Sequence, residues 1–278
     1  MEPWQYFVLV TGVSFGAGAL GALLGLGGGV VLVPVLTLLL GIDIRYAIGA
    51  SIVSVIATSS GAAAAYVRDG ITNTRLGMFL EIGTTTGAVT GALVGGWLSG
   101  RALYVIFAAV LCYSAFVMFR KRNEEQPAQE RGDSMAQRLR LHGAYYDAAL
   151  GRTVEYQATN TLPVLGLTYV AGMVSGLLGI GGGPLKVPAM DIAMKLPIKV
   201  SSATSNFMID VTAAASAGLY FTRGQINPIL AAPVAVGVLG GAVAGARVMK
   251  RTPGRIIRLI FAVLLPVLAF QMLVKGLS

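Results

Sequence analysis

Cysteine and histidine are almost missing from this chain: its 278 residues hold one of each, Cys112 and His142. That excludes an intramolecular disulfide and a cysteine metal site, and it leaves a histidine-built metal or haem centre without ligands. Charge is scarce as well. Only 12% of residues are Asp, Glu, Lys or Arg, while 55% are hydrophobic and the mean hydropathy is +0.74. A soluble domain carries about 25% charged residues. Catalytic patterns are also wanting, with no HExxH, no Ser/His/Asp arrangement and no Gly-Lys-Ser/Thr ending of a phosphate loop. The chain is therefore not expected to be an enzyme or to hold a cofactor or metal. The net charge of +9 fits basic loops beside a membrane better than nucleic-acid binding.

What is present is a series of apolar runs. They lie at about Trp4–Leu24, Val30–Leu40, Tyr46–Val67, Gly77–Leu98 and Ala102–Phe119, then at Thr161–Leu178, Pro184–Met194, Val200–Phe221, Pro228–Met249 and Ile256–Val274. Most reach the roughly 20 residues that span a bilayer. Val30–Leu40 and Pro184–Met194 cover about half of one. Each of these short runs follows a glycine cluster, Gly25-Leu26-Gly27-Gly28-Gly29 or Gly179-Ile180-Gly181-Gly182-Gly183. Four glycines in five residues break a helix. The helix that restarts beyond the break aims its unpaired N–H groups and positive dipole end back at the glycines. The expectation is an anion seat, built twice and shared as one site.

The two halves repeat. Gly27 and Gly181 are 154 residues apart, and the same offset joins Pro34 to Pro188, Ser51 to Ser205, Tyr66 to Tyr220, Asn73 to Asn227 and Gly87 to Gly241. This is an internal duplication. It divides the chain into a first membrane repeat (1–119), a cytoplasmic linker (120–160) and a second membrane repeat (161–278). In the linker, Tyr145–Asp147 and Thr153–Tyr156 flank a glycine and read as a small β-hairpin. Arg138–Leu141 reads as a short amphipathic helix. The fold class is thus an all-α polytopic membrane protein of two tandem repeats, each a glycine-broken helical hairpin plus three spanning helices.

Loop charge sets the orientation. Arg120-Lys121-Arg122 mark the linker as cytoplasmic by the positive-inside rule. If each glycine break turns the chain back on itself, Lys195, Lys199, Lys250, Arg251, Arg255 and Arg258 fall on or near that side. A single crossing would put them all outside. The hairpin reading makes the repeats inverted, with both termini outside. Small residues every four positions, Gly83, Gly87, Gly91 and Gly95, then Gly237, Gly241 and Gly245, predict closely packed helices.

Few ionisable residues interrupt the apolar runs: Glu81, Lys186, Asp191, Asp210 and Arg247. Charge inside a membrane is costly and marks function by default. Lys186, just past the second glycine break, is suited to an anion or to pairing with Asp210, and Asp210 to charge balance or proton coupling. Hydroxyls and an amide gather on the following helices: Ser51, Ser54, Thr58 and Ser59, then Ser201, Ser202, Thr204, Ser205 and Asn206. The expected substrate-binding set is Gly27, Gly28, Gly29, Ser51, Gly181, Gly182, Gly183, Lys186, Thr204, Ser205 and Asn206. Lys186 stands where the first repeat has Leu32, so that set is asymmetric.

The glycine breaks with Val33-Pro34, Leu39-Leu40-Gly41 and Ala50-Ser51, and again Gly179–Pro188 with Ala203-Thr204-Ser205, resemble the TauE/SafE family of sulfite and organosulfonate exporters. The resemblance covers both halves and omits the linker. It implies a multi-pass inner-membrane secondary transporter for a small sulfur-containing or organic anion, exporting by alternating access. Uptake of such an anion is the alternative, and a membrane enzyme or a scaffold lies further off. The expected partners are the anion and the lipid bilayer, not nucleic acid, and a homodimer is compatible.

Overall fold

A computed structural model describes residues 3–120 and 132–277. Lys121 and Arg122, part of the basic cluster that orients the linker, lie outside the described residues. The first half holds α1 (Pro3–Leu24), α2 (Gly29–Leu38), α3 (Ile44–Arg68), α4 (Thr74–Gly95) and α5 (Gly100–Arg120). A short α6 (Ser134–Arg138) and two strands, β1 (Gly143–Asp147) and β2 (Arg152–Tyr156), follow. The second half holds α7 (Thr161–Leu178), α8 (Gly183–Pro188), a π-helical turn (Ala189–Ala193), α9 (Ile198–Thr222), α10 (Pro228–Arg251) and α11 (Gly254–Leu277).

Among the described residues six helices, α1, α3, α5, α7, α10 and α11, are long and apolar enough to cross a membrane. α4 and α9 have the length, 22 and 25 residues. Their threonines, serines and buried charges keep them off the apolar set, so the expected three spans per repeat are not all marked by composition alone. α1 and α7 qualify instead, although each ends at a glycine break. The helix α6 stops at Arg138, short of the predicted Arg138–Leu141 segment, and Leu141 is buried.

Helix starts follow their caps. Asp43 accepts from Arg45 N, Asn73 from Leu76 N and Asn227 from Ile229 N; each satisfies a donor that the first turn leaves free. Prolines act differently in the two halves. α2 continues past Pro34, whereas Pro188 is followed by the π-helical turn. A proline lacks the N–H that would close the next α turn.

Small residues decide which helices touch. A Cβ at Gly87 or Gly91 would overlap the carbonyl of Tyr169 or Met173, and one at Gly241 or Gly245 that of Phe15 or Ala19. These contacts repeat at the offset of 154. They also give directions: along α4, Gly83, Gly87 and Gly91 meet Leu165, Tyr169 and Met173 of α7 in order, so these helices run the same way. Asn73 N meets Thr204 and Arg223 reaches Ala92 O, which runs α4 alongside α9 in the same sense. Gly237, Gly241 and Gly245 meet Thr11, Phe15 and Ala19, which does the same for α10 and α1. At the α3–α9 contact, Gly49 near the start of α3 lies against Gln225 just past the end of α9.

One end of the bundle collects the linker. Lys250 pairs with Asp69, Lys199 Nζ donates to Asp147 Oδ1 at 2.7 Å and to Lys250 O at 3.2 Å, and Asn73 Nδ2 donates to Leu141 O at 2.9 Å. Burial raises the Asp147 carboxyl, but the hydrogen bond and charge of Lys199 outweigh it and hold it below the usual carboxylate range. Burial pushes the Tyr156 hydroxyl up to about 12.

Candidate functional site

Both glycine breaks are buried at the centre of the molecule. Gly25 and Gly27 take φ of 72° and 62°, and Gly179, Gly181 and Gly182 take 63°, 74° and 72°. Those left-handed turns are what glycine permits and other residues resist. The turns return the chain on itself. In the second half, Thr159 N donates to Met194 O at 3.2 Å and Asn160 Nδ2 to Ala193 O at 2.8 Å, which ties the foot of α7 to the far end of the returning segment.

The two breaks are locked together by a reciprocal pair of bonds. Ser51 Oγ donates to Gly179 O at 2.7 Å, and Ser205 Oγ donates to Gly25 O at 2.7 Å. Each partner is the other's counterpart at the offset of 154. Tyr66 and Tyr220 form another such pair, donating to Ala22 O and Gly176 O of their own halves. A Cβ at Gly27 would stand 3.2 Å from Val55 and 3.4 Å from Ile209, and one at Gly181 would stand 2.9 Å and 3.0 Å from the same two side chains. Val55 and Ile209, again 154 apart, therefore sit where the two breaks meet.

Donors remain unspent at the first break. Val31 N and Leu32 N donate to Gly28 O, but the amides of Gly27, Gly28, Gly29 and Val30 find no backbone acceptor among the described residues. Gly28, the N-cap residue of α2, makes no side-chain cap. A Cβ there would stand 3.0 Å from both Ser54 Oγ and Thr58 Oγ1. Those two hydroxyls are fully buried and have no hydrogen-bond partner among the described residues. A cluster of N–H and O–H donors without acceptors is suited to an anion.

The second break is filled differently. Gly181, Gly182 and Gly183 also keep amides without backbone acceptors among the described residues, and Pro184 has no N–H to offer. The stem of Lys186 folds over the loop, its Cε 3.2 Å from a Cβ placed on Gly182. Lys186 is fully buried and its Nζ donates to Thr212 Oγ1 at 2.7 Å. Thr212 Oγ1 donates in turn to Glu81 Oε1 at 2.7 Å, and Thr85 Oγ1 donates to the same oxygen at 2.8 Å.

The remaining expected residues divide. Thr204 Oγ1 accepts from Asn73 N at 3.1 Å. Asn206 Nδ2 donates to Ala22 O and Ser202 O, while its Oδ1 is buried without a partner. Asp210 is not joined to Lys186. It accepts from Ser59 and, at 3.2 Å, from Ser60, both on α3. The Lys186–Asp210 pair offered by the sequence is replaced by the chain through Thr212 to Glu81, because Asp210 and Thr212, two residues apart on α9, point to nearly opposite faces, one toward α3 and the other toward α4 and α8. Thr212 carried a signal that sequence reasoning passed over: it is the counterpart of Thr58 at the offset of 154. Asp191 is held by Arg258, whose Nε and Nη2 donate to it at 3.1 Å and 2.6 Å in a buried ion pair. A separate cavity of about 450 Å³ between α5, α7 and α8 is lined by apolar side chains such as Val117, Leu167 and Leu185, and none of the expected site residues borders it.

Helices of spanning length around two paired, donor-rich breaks define a polytopic membrane protein with a polar centre, the class to which transporters belong. The comparisons name the family. A model of the sulfite exporter TauE/SafE family matches residues 10–272, and the chain belongs to that family. It is a multi-pass membrane transporter. "Probable membrane transporter protein YunE" of Bacillus subtilis is 28% identical over 97% of this chain and 98% of its own length. "Probable membrane transporter protein YdhB" of the same organism is 26% identical over 88% of this chain and 91% of its own. "Probable membrane transporter protein MJ0441" of Methanocaldococcus jannaschii is 23% identical over 94% and 93%. No solved structure matches the chain.

Proposed function

We propose that the protein is a secondary transporter of the inner membrane that exports a small sulfur-containing or organic anion, sulfite or an organosulfonate, by alternating access. One observation carries the reading: at the buried meeting point of the two glycine breaks, the Gly27–Val30 amides and the hydroxyls of Ser54 and Thr58 have no acceptor of their own. An acceptor-only ligand bearing several oxygens is what such a group of donors fits. Lys186 supplies the fixed positive charge from the other half. Ser51 and Ser205, expected as contacts, act by holding the two breaks against each other.

The repeats are read as inverted. The support is directional: α1 runs with α10 and α7 with α4, while α3 and α9 meet start to end. Carriers built from inverted repeats place their ligand between broken helices near the bilayer midplane. Rocking of one half against the other then exchanges Val55 and Ile209 as the barriers between site and solvent. The end that gathers Arg68, Arg75, Lys195, Lys250 and the linker is the cytoplasmic one by the positive-inside rule.

The test is flux. Proteoliposomes loaded with radiolabelled sulfite or a sulfonate are expected to release it unchanged, and Lys186→Met to release it at least tenfold more slowly. Release no faster than from empty liposomes overturns the reading, and recovery of a chemically converted product points to an enzyme instead.

A further inference from the structure

The chain from Lys186 through Thr212 to Glu81 exists in one repeat only. At the offset of 154, Thr212 corresponds to Thr58, but Lys186 corresponds to Leu32 and Glu81 to Ala235. A scaffold built by duplication needs no such charge for packing, since the first half does without it. Burying a lysine and a carboxylate in a membrane protein costs free energy unless they balance each other or serve the ligand.

The geometry carries two readable states. Glu81 Oε1 accepts from Thr85 and Thr212, but Glu81 Oε2 is buried and has no partner among the described residues. A bare carboxylate oxygen in that position is a place for a proton. The Thr212 hydroxyl has two acceptors within reach, Glu81 Oε1 at 2.7 Å and Met208 O at 2.9 Å. It can therefore leave Glu81 without losing a hydrogen bond. With Glu81 ionised, the group around Lys186 is neutral. An anion seated at the paired breaks would leave one uncompensated negative charge in the same low-dielectric interior.

We infer that Glu81 is the coupling carboxylate of this carrier: it balances Lys186 when the site is empty, and it takes up a proton from water as the anion takes over that role. Deeper than the transport reading, this inference rests on it. No bond to the anion is made or broken. The carboxylate gains one H⁺ from the side on which the anion enters and releases it with the anion on the other, so one proton moves with each anion. Other charged groups on the packed elements are already engaged or absent. α7 carries no acid or amine, only Tyr169 beside Thr90. On α9, Lys199 pairs with Asp147, Asp210 is held by Ser59 and Ser60, and Tyr220 donates to Gly176 O and Leu177 O. Past the end of α9, Arg223 caps Ala92 O and Leu93 O.

The probe is methanesulfonate, an anion that stays ionised at every working pH. Added to purified protein in weak buffer, it is expected to draw about one proton per bound anion from solution. Its affinity is expected to fall by up to about tenfold per pH unit on the alkaline side, the limit for a single linked proton. Glu81→Gln should bind with no proton uptake and with affinity flat in pH. Binding by the unaltered chain without proton uptake overturns the inference and leaves the transport reading standing, and so does uptake that survives in Glu81→Gln. Should Glu81→Gln fail to fold, proton uptake by the unaltered chain still decides. Absence of binding by both methanesulfonate and sulfite removes the transport reading and this inference with it.

Discussion

Hydroxyls in this protein do two jobs that look alike in the sequence. Ser51 and Ser205 each satisfy a carbonyl of the opposite glycine break at 2.7 Å, while Ser54 and Thr58 satisfy nothing. Removing the first kind leaves a buried carbonyl unpaired, so Ser51→Ala and Ser205→Ala should each destabilise the fold by about 1–2 kcal/mol, read as a lower melting temperature in detergent. On the transport reading, removing the second kind spares the fold and takes a charge-assisted bond from the ligand. Ser54→Ala and Thr58→Val should keep the melting temperature and weaken sulfite binding by about tenfold or more. Both groups stand out in the sequence, where the pair at matching positions, Ser51 and Ser205, is the one expected to touch the ligand. The offset marked the residues that join the halves, because the same bond occurs twice, once from each half. The unpaired hydroxyls could not be told apart from it, since a sequence does not show which donors already have an acceptor. The same limit hid the partner of Lys186. Glu81 and Lys186 are 105 residues apart, and only the packing of α4 on α9 brings Thr212 between them.

Among the elements, the glycine-lined helix contacts were the most legible. A four-residue glycine spacing says that backbones approach, and α4 against α7 and α10 against α1 do so. The spacing does not rank its members, but the contacts do. A Cβ at Gly87 would overlap Tyr169 O, whereas one at Gly95 would find its nearest neighbour, Tyr220 Oη, at 3.4 Å. Gly87→Ala and its counterpart Gly241→Ala should therefore each cost about 2 kcal/mol or more through forced separation of the helices, and Gly95→Ala should be neutral. Paired thermal unfolding of the three variants checks this. The linker was legible as a hairpin from Tyr145, Asp147 and the β-branched run after Gly151. Its anchor was not, because Lys199 reads as a loop charge and is in fact buried against Asp147 at 2.7 Å. Asp147→Asn leaves that lysine buried without its counter-ion and should loosen the hairpin by about 3 kcal/mol, seen as faster proteolysis between residues 143 and 156. The folded carboxyl of Asp147 sits below its unfolded value of about 3.9, so its contribution is complete above that pH. It is lost as the pH falls through the folded value, and proteolysis of the hairpin should rise only in strong acid.

For the whole molecule, the offset of 154 read from the sequence recurs in bonds, helix contacts and the side chains between the two breaks. What the offset could not give is where the halves differ. Lys186 against Leu32 and Glu81 against Ala235 are single departures in otherwise matched segments, and the transport reading makes them the source of charge selection and coupling. Orientation is a separate property: single cysteines at Lys195 and Lys250 should be labelled only from the cytoplasmic side, and labelling from outside would turn the second half over. The central claim, that an anion sits on the open amides and hydroxyls of the first glycine break, is tested most directly at Gly28. Its φ of −37° is not the left-handed conformation reserved for glycine, and a methyl group placed there would stand 3.0 Å from Ser54 Oγ and Thr58 Oγ1, within the proposed seat. Sulfite binding to purified Gly28→Ala, measured by titration calorimetry beside the unaltered chain, should fall at least tenfold while the melting temperature stays within a few degrees. Unchanged affinity in a folded Gly28→Ala protein would contradict the account.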